Sequence, residues 1–390
     1  MTDAALSSAG DPFGLRSLDI DELRAKRGAK WQFRPAAYSA WVADMDFPVA
    51  PAITDALREV VDRNEFGYPA WGAPGDVSPA ATLFAPRMAE RFGWDPDPTR
   101  VHDLVDVIQG VRATVHHLSE PGDGVVLHLP SYHPFLHTID EMDRRLVPVE
   151  WRDGAFDYDT LDAELAASGA AVWIVCHPHN PLGHVMRRPE LERIAEIAER
   201  HDVVLISDEI HADLTMPGHD HVPLALLGED VAARTVTVTS ASKAFNLAGL
   251  RWAVMHAGSD RMHEAMTSLP GHYLGAPNLM AVVATVAAWT EGGAWLDAVL
   301  GVLDENRLAL PGMLAEHVPG AVCKVPDATY LAWVDCRALD LGGNPAKVFR
   351  ERGVELSPGS QFGPPGEGHV RINIATSPAV LAATVAAMAG

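Results

Sequence analysis

The chain has 390 residues, of which 48% are hydrophobic and 21% charged; it has enough apolar surface for a sizeable core and is too long for one ordinary core, so a large and a small domain are expected. A formal charge of −22 leaves no surplus of Lys and Arg to neutralise nucleic-acid phosphates or an anionic membrane, which excludes both as expected partners. Cys176, Cys323 and Cys336 make neither a disulfide framework nor a CxxC site and fit a reducing cytoplasm, and no secretory leader or membrane-length apolar run is read.

Taken in order, residues 1 to about 35 read as an arm with one short helix, Asp19 to Arg27, capped by Asp19. Trp41-Val-Ala-Asp-Met-Asp-Phe-Pro48 sets two acids among apolar residues, the pattern of a fixed polar loop. Pro51 opens a helix to about Arg63, Phe66-Gly-Tyr-Pro69 is a turn, and a helix follows over Ala80 to Phe92. The run Val105 to Gly110 reads as an extended segment feeding a helix from Val111 to Ser119, and a strand that meets a helix at a glycine offers backbone N–H groups to a phosphate.

From Val125 the pattern alternates. Strands are predicted at 125–129, 146–150, 171–176, 203–207, 235–239 and 252–255, and helices at 134–143, 158–167 and 189–201. Continuous apolar strands between amphipathic helices make an α/β fold with a mostly parallel sheet covered on both faces, and such sheets bind ligands beyond the carboxyl ends of their strands. Tyr132, Asn180, Asp208 and Lys243 all fall at those ends. The apolar stretch Leu279 to Trp289 is a packed helix, too short to cross a bilayer. Beyond it a long helix through Trp295 and Leu310, short strands at 322–325, 330–335 and 370–374, a helix at 345–352 and a loop at 357–368 form a smaller α+β unit. The expected divisions are 1–50 for the arm with part of the small domain, 51–288 for the large domain and 289–390 for the small domain.

The densest chemistry lies in Thr237-Val-Thr-Ser-Ala-Ser-Lys-Ala-Phe-Asn246. A lysine at a strand edge is ordinarily solvated. Here Ser240 and Ser242 precede Lys243, Arg251 follows it by eight residues, and Asp208 ends an earlier strand. The set combines an amine, a phosphate cradle and an acid able to pair with a ring nitrogen.

Several motifs accompany that set: Trp41-Val-Ala-Asp-Met-Asp-Phe, Phe66-Gly-Tyr, Glu120-Pro-Gly-Asp, Pro130-Ser-Tyr-His-Pro-Phe, Pro178-His-Asn-Pro-Leu-Gly, Ser207-Asp-Glu-Ile-His-Ala-Asp, Pro326-Asp-Ala-Thr-Tyr-Leu-Ala-Trp and Val370-Arg-Ile-Asn. Over roughly residues 38 to 378 the chain resembles pyridoxal-phosphate enzymes of the aspartate-aminotransferase fold (fold type I), and more closely their cystathionine β-lyase (MalY/PatB-like) branch. The resemblance implies pyridoxal 5′-phosphate held by Lys243 as a Schiff base, with Asp208 on the pyridinium nitrogen. It implies phosphate contacts from Ser240, Ser242, Arg251 and the N–H groups of Gly110 and Val111. Tyr132 would stack on the ring, Asn180 would lie near its 3-hydroxyl, and Arg371 would grip the substrate carboxylate as a bidentate fork. Tyr68 would reach the phosphate of a neighbouring subunit, giving a homodimer with a shared site.

The implied reaction is elimination from an S-substituted cysteine. Lys243 removes the Cα proton, the ring holds the electrons, a thiolate leaves Cβ, and pyruvate and ammonia follow. An aminotransferase would use the same residues, and a regulatory protein that keeps the cofactor fold is a third reading. Gln109, Arg112, His177 and Ala241 depart from the usual pattern, and the sequence leaves open what the first three do to the pocket. The 18 histidines, paired at 116/117, 177/179 and 219/221, show no zinc-like ligand spacing. Cys176 reads as a core thiol at a strand end.

Overall fold

In a computed structural model, residues 10–71, 76–270 and 273–390 are described. Strand β1 (Tyr38–Ser39) lies in the arm. The alternating region supplies β2 (Val101–Leu104), β3 (Gly124–Leu129), β4 (Arg145–Arg152), β5 (Ala155–Phe156), β6 (Val172–Cys176), β7 (Val204–Asp208), β8 (Thr235–Thr239) and β9 (Ala253–Ala257). These form one eight-stranded sheet in the order β2-β9-β8-β7-β6-β3-β4-β5. The run β4-β3-β6-β7-β8 is parallel, β9 is antiparallel to both of its neighbours, and β5 is antiparallel to β4.

Every residue of β3, β6, β8 and β9 is buried, as expected of strands covered on both faces. The two-residue period divides β3 between two cores. Val125, Leu127 and Leu129 pack with helix Val107–Leu118, whereas Val126 packs with helices Tyr158–Ser168 and Arg188–Arg200.

The smaller unit follows the long helix Gly293–His317, with β10 (Val322–Cys323), β11 (Leu331–Asp335), β12 (Val354–Glu355), β13 (Ser357–Pro358) and β14 (His369–Asn373). Its four-stranded antiparallel sheet runs β10-β11-β14-β13, and β1 pairs in parallel with β12. The arm therefore packs with the C-terminal unit. Among the described residues no single helix is long and apolar enough to cross a membrane.

Two local expectations are corrected, and one helix had no expectation. The strand near Val105 is Val101–Leu104, and the helix begins at Val107, its first turn having read as extended. The expected helix over Ala80 to Phe92 breaks at Leu83 into Pro79–Thr82 and Phe84–Phe92. Helix Asp260–Ser268, with only Met262 and Met266 buried, carries too short an apolar stripe to announce itself.

Candidate active site

The carboxyl ends of β2, β3, β6, β7 and β8 open on one cavity of about 130 Å³, whose lining includes Asp106, Tyr132, Asn180, Asp208, Ser242, Lys243 and Arg251. The sheet brings these side chains together from segments far apart in sequence. Arg371 reaches the same place from β14, donating from Nη1 to Asn180 Oδ1 at 2.9 Å and from Nη2 to the Trp41 carbonyl at 2.9 Å.

Lys243 Nζ donates to the Ala43 carbonyl at 2.9 Å. That carbonyl is fixed from several directions. Tyr330 Oη also donates to it, at 2.8 Å, Asn373 Nδ2 holds the Val42 and Asp44 carbonyls, and Asn246 brackets Met45 through both its oxygen and its nitrogen. Beneath the loop Asp46 is buried against Lys30 Nζ and Trp31 Nε1, each at 2.9 Å. The two acids of the loop thus sit in a rigid clasp over the lysine, with an otherwise costly buried charge paired and hydrogen-bonded.

Burial dominates the electrostatics. It pulls the Lys243 ammonium below the ordinary lysine range, against the opposing attraction of Asp44, and so favours the neutral amine that a general base requires. Burial raises Asp208 to about 7, opposed by the Ile210 N–H that its carboxylate accepts at 3.1 Å. Arg371 falls to about 10 for the same reason. Its guanidinium lies 4.8 Å over the Phe362 ring, and its buried Nε is without a partner among the described residues. A buried guanidinium with a spare donor suits a carboxylate.

The sequence reading passed over His211, Asp106 and Tyr330. His211 follows Asp208 by three residues, lines the cavity, and is held neutral by burial with its pKa near 3. Its place in Ser207-Asp-Glu-Ile-His-Ala-Asp was the available signal. Asp106 caps helix Val107–Leu118 by accepting the Gln109 N–H at 2.7 Å and pairs with Arg251.

Gly110 and Val111 are corrected as phosphate donors. They lie inside the helix, where their N–H groups serve the helical ladder, while Val107 and Ile108 of the first turn line the cavity. Gly110 is instead a packing glycine, since a Cβ there would stand 2.7 Å from Leu104 Cδ1 and 2.8 Å from Val238 Cγ1. Ser240 lines the cavity, but its hydroxyl donates to the Trp252 carbonyl at 2.6 Å and accepts the Ser242 N–H at 3.0 Å. Tyr68 is wholly exposed and does not line the cavity of its own chain.

Gln109, Arg112 and His177, whose effect the sequence leaves open, do not line the cavity. Gln109 ties Val105 N–H to the Leu274 carbonyl, Arg112 pairs with Glu141 at the surface, and the buried His177 ring stacks on His221 at 4.7 Å. Cys176 borders the cavity as a buried thiol whose pKa burial pushes up, which disfavours the nucleophilic thiolate.

Comparison with known proteins places this geometry. Residues 107–388 match the family described as aminotransferase class I and II. The chain is 36% identical to the cystathionine beta-lyase PatB of Bacillus subtilis, over 88% of this chain and 90% of the other. It is 32% identical to the cystathionine beta-lyase of Corynebacterium glutamicum, over 90% and 92%. The PLP-bound C-S lyase of Staphylococcus hominis superposes with a TM-score of 0.85 at 30% identity, covering 95% of this chain and 99% of that one. With the lysine, the acid and the arginine converging at the carboxyl edge of a mostly parallel sheet, the chain belongs to the aminotransferase class I and II family.

Proposed function

We propose that the chain is a pyridoxal-phosphate-dependent carbon–sulfur β-lyase that cleaves an S-substituted cysteine, such as cystathionine or a more specialised conjugate, to a thiol, pyruvate and ammonia. The observation that carries this reading is near full-length similarity to proteins named cystathionine beta-lyase, joined to a cavity lined by Lys243 and Asp208, with Arg371 held against its Asn180.

The residues present fit the cofactor. Lys243 offers a part-buried amine, Asp208 a buried carboxylate, and Tyr132 an aromatic face in the same cavity. The first two N–H groups of helix Val107–Leu118 have no helical acceptor, and with Arg251 they suit a phosphate. When bound, pyridoxal phosphate supplies a protonated ring that accepts the electron pair left at Cα.

The chain's own residues do the rest. Asp208 keeps the ring nitrogen charged, Arg371 and Asn180 fix the substrate carboxylate, and Lys243 as the neutral amine takes the Cα proton. The Cα–H and Cβ–S bonds break, sulfur leaves with the bonding pair and takes a proton, and one water is consumed as the remaining three-carbon fragment becomes pyruvate and ammonium. Because Tyr68 is exposed and does not line its own cavity, it is proposed to complete the cavity of a second copy in a homodimer.

Incubation with a panel of cysteine thioethers, with thiol, pyruvate and ammonium measured together, tests the reading. Equal amounts of the three without an added oxo acid are expected. Turnover that demands an oxo acid and releases no thiol would make the chain an aminotransferase, and absence of all turnover with the cofactor bound would favour a regulatory role.

A further inference from the structure

The anion cradle beside Lys243 contains a carboxylate of its own. Asp106 stands at the N-cap of helix Val107–Leu118, with Oδ1 on the Gln109 N–H at 2.7 Å and Oδ2 on Arg251 Nη2. It lines the cavity with Val107, Ile108, Ser242, Lys243 and Arg251. Arg251 is delivered there by a left-handed backbone, φ 64°, a conformation that non-glycine residues adopt uncommonly. Its side chain is 62% exposed and that of Asp106 is 28% exposed, so an ion pair at this place contributes little to folding.

A phosphate drawn to this helix end would use the same donors, namely the free N–H groups of the first turn and the Arg251 guanidinium. Asp106 competes for that guanidinium. Even when displaced from it, the carboxylate remains tied to the helix terminus and repels a second anion at short range. Capping does not explain the charge, because neutral Asn or Ser caps a helix as well as Asp.

We infer that Asp106 sets how tightly the chain holds the phosphate end of its cofactor, acting as an internal anion that competes for Arg251 and the helix terminus and so keeps the cofactor exchangeable. This rests on the cofactor reading above. It assigns Asp106 a positioning role and no part in bond breaking.

The test titrates wild type and Asp106→Asn with pyridoxal 5′-phosphate and, separately, with pyridoxal, which lacks the phosphate. Binding is followed by the visible absorption of lysine-bound cofactor and by tryptophan fluorescence. Asp106→Asn is expected to bind pyridoxal phosphate roughly tenfold tighter while its affinity for pyridoxal stays within about twofold. Unchanged or weaker binding of pyridoxal phosphate, or an equal gain for pyridoxal, overturns the inference. If neither protein binds pyridoxal phosphate, the cofactor reading falls and this inference with it; if both bind it equally, the cofactor reading stands and only the inference fails. Should Asp106→Asn not fold, Asp106→Ser, which keeps a capping oxygen without the charge, repeats the comparison.

Discussion

Asp208 shows at the scale of one residue how burial couples charge to stability. Its carboxyl rises from an ordinary value of 3.8 to about 7 because it is desolvated, so the folded chain binds this proton more tightly than the unfolded chain. The stabilisation is fully present below the unfolded value and is lost as pH rises through about 7. In cofactor-free protein, wild type should therefore lose stability relative to Asp208→Asn across that window, by up to about 1.4 kcal/mol per pH unit. Denaturant unfolding of both proteins at a series of pH values checks this, and parallel curves would contradict it. Asp208 and Lys243 were legible in the sequence because each sits beside a strand end within a recognisable run. Asp106 and His211 were not, since an acid at a helix cap and a histidine near an acid are common without any ligand.

At the scale of the element, helix Val107–Leu118 explains why glycine misled. A glycine near a strand-to-helix junction reads as a phosphate turn, yet Gly110 lies a full turn inside the helix, where the approach of Leu104 and Val238 leaves no space for a Cβ. The start of the helix was hidden because its first residues, Val107 and Ile108, are β-branched and suit a strand as readily. Gly110→Ala tests the packing role. Alanine gains up to about 1 kcal/mol in helix propensity, but overpacking against stiff Val238 typically costs about 1–3 kcal/mol. Net destabilisation of about 1 kcal/mol is expected in denaturant unfolding; a stabilised variant would mean that the helix shifts freely on the sheet.

The whole molecule is where sequence patterning and site geometry part company. Alternating apolar strands made the mostly parallel sheet legible, and with it the edge on which Tyr132, Asn180, Asp208 and Lys243 converge. Arg371 and the Ala43 clasp were harder to place. They depend on β14 and the arm folding back over that edge, through contacts between residues as distant as Trp41 and Arg371, which no local period encodes. The proposed homodimer belongs to this scale. Lys243→Ala and Tyr68→Ala proteins, each impaired alone, should regain activity when unfolded together and refolded, because half of the random dimers carry one intact shared site; about a quarter of wild-type activity is the statistical limit. No recovery from a mixture that forms dimers would show that Tyr68 serves no neighbouring cavity.

The central claim, that Lys243 carries the cofactor, is open to direct measurement because the chain has only five lysines, at positions 26, 30, 243, 324 and 347. Borohydride reduction of the protein with bound pyridoxal phosphate, followed by proteolysis and mass spectrometry, should place the phosphopyridoxyl group on Lys243 alone and on no lysine in Lys243→Ala. Stoichiometric label on Lys30, which is buried, or unchanged label in the variant, would contradict the account.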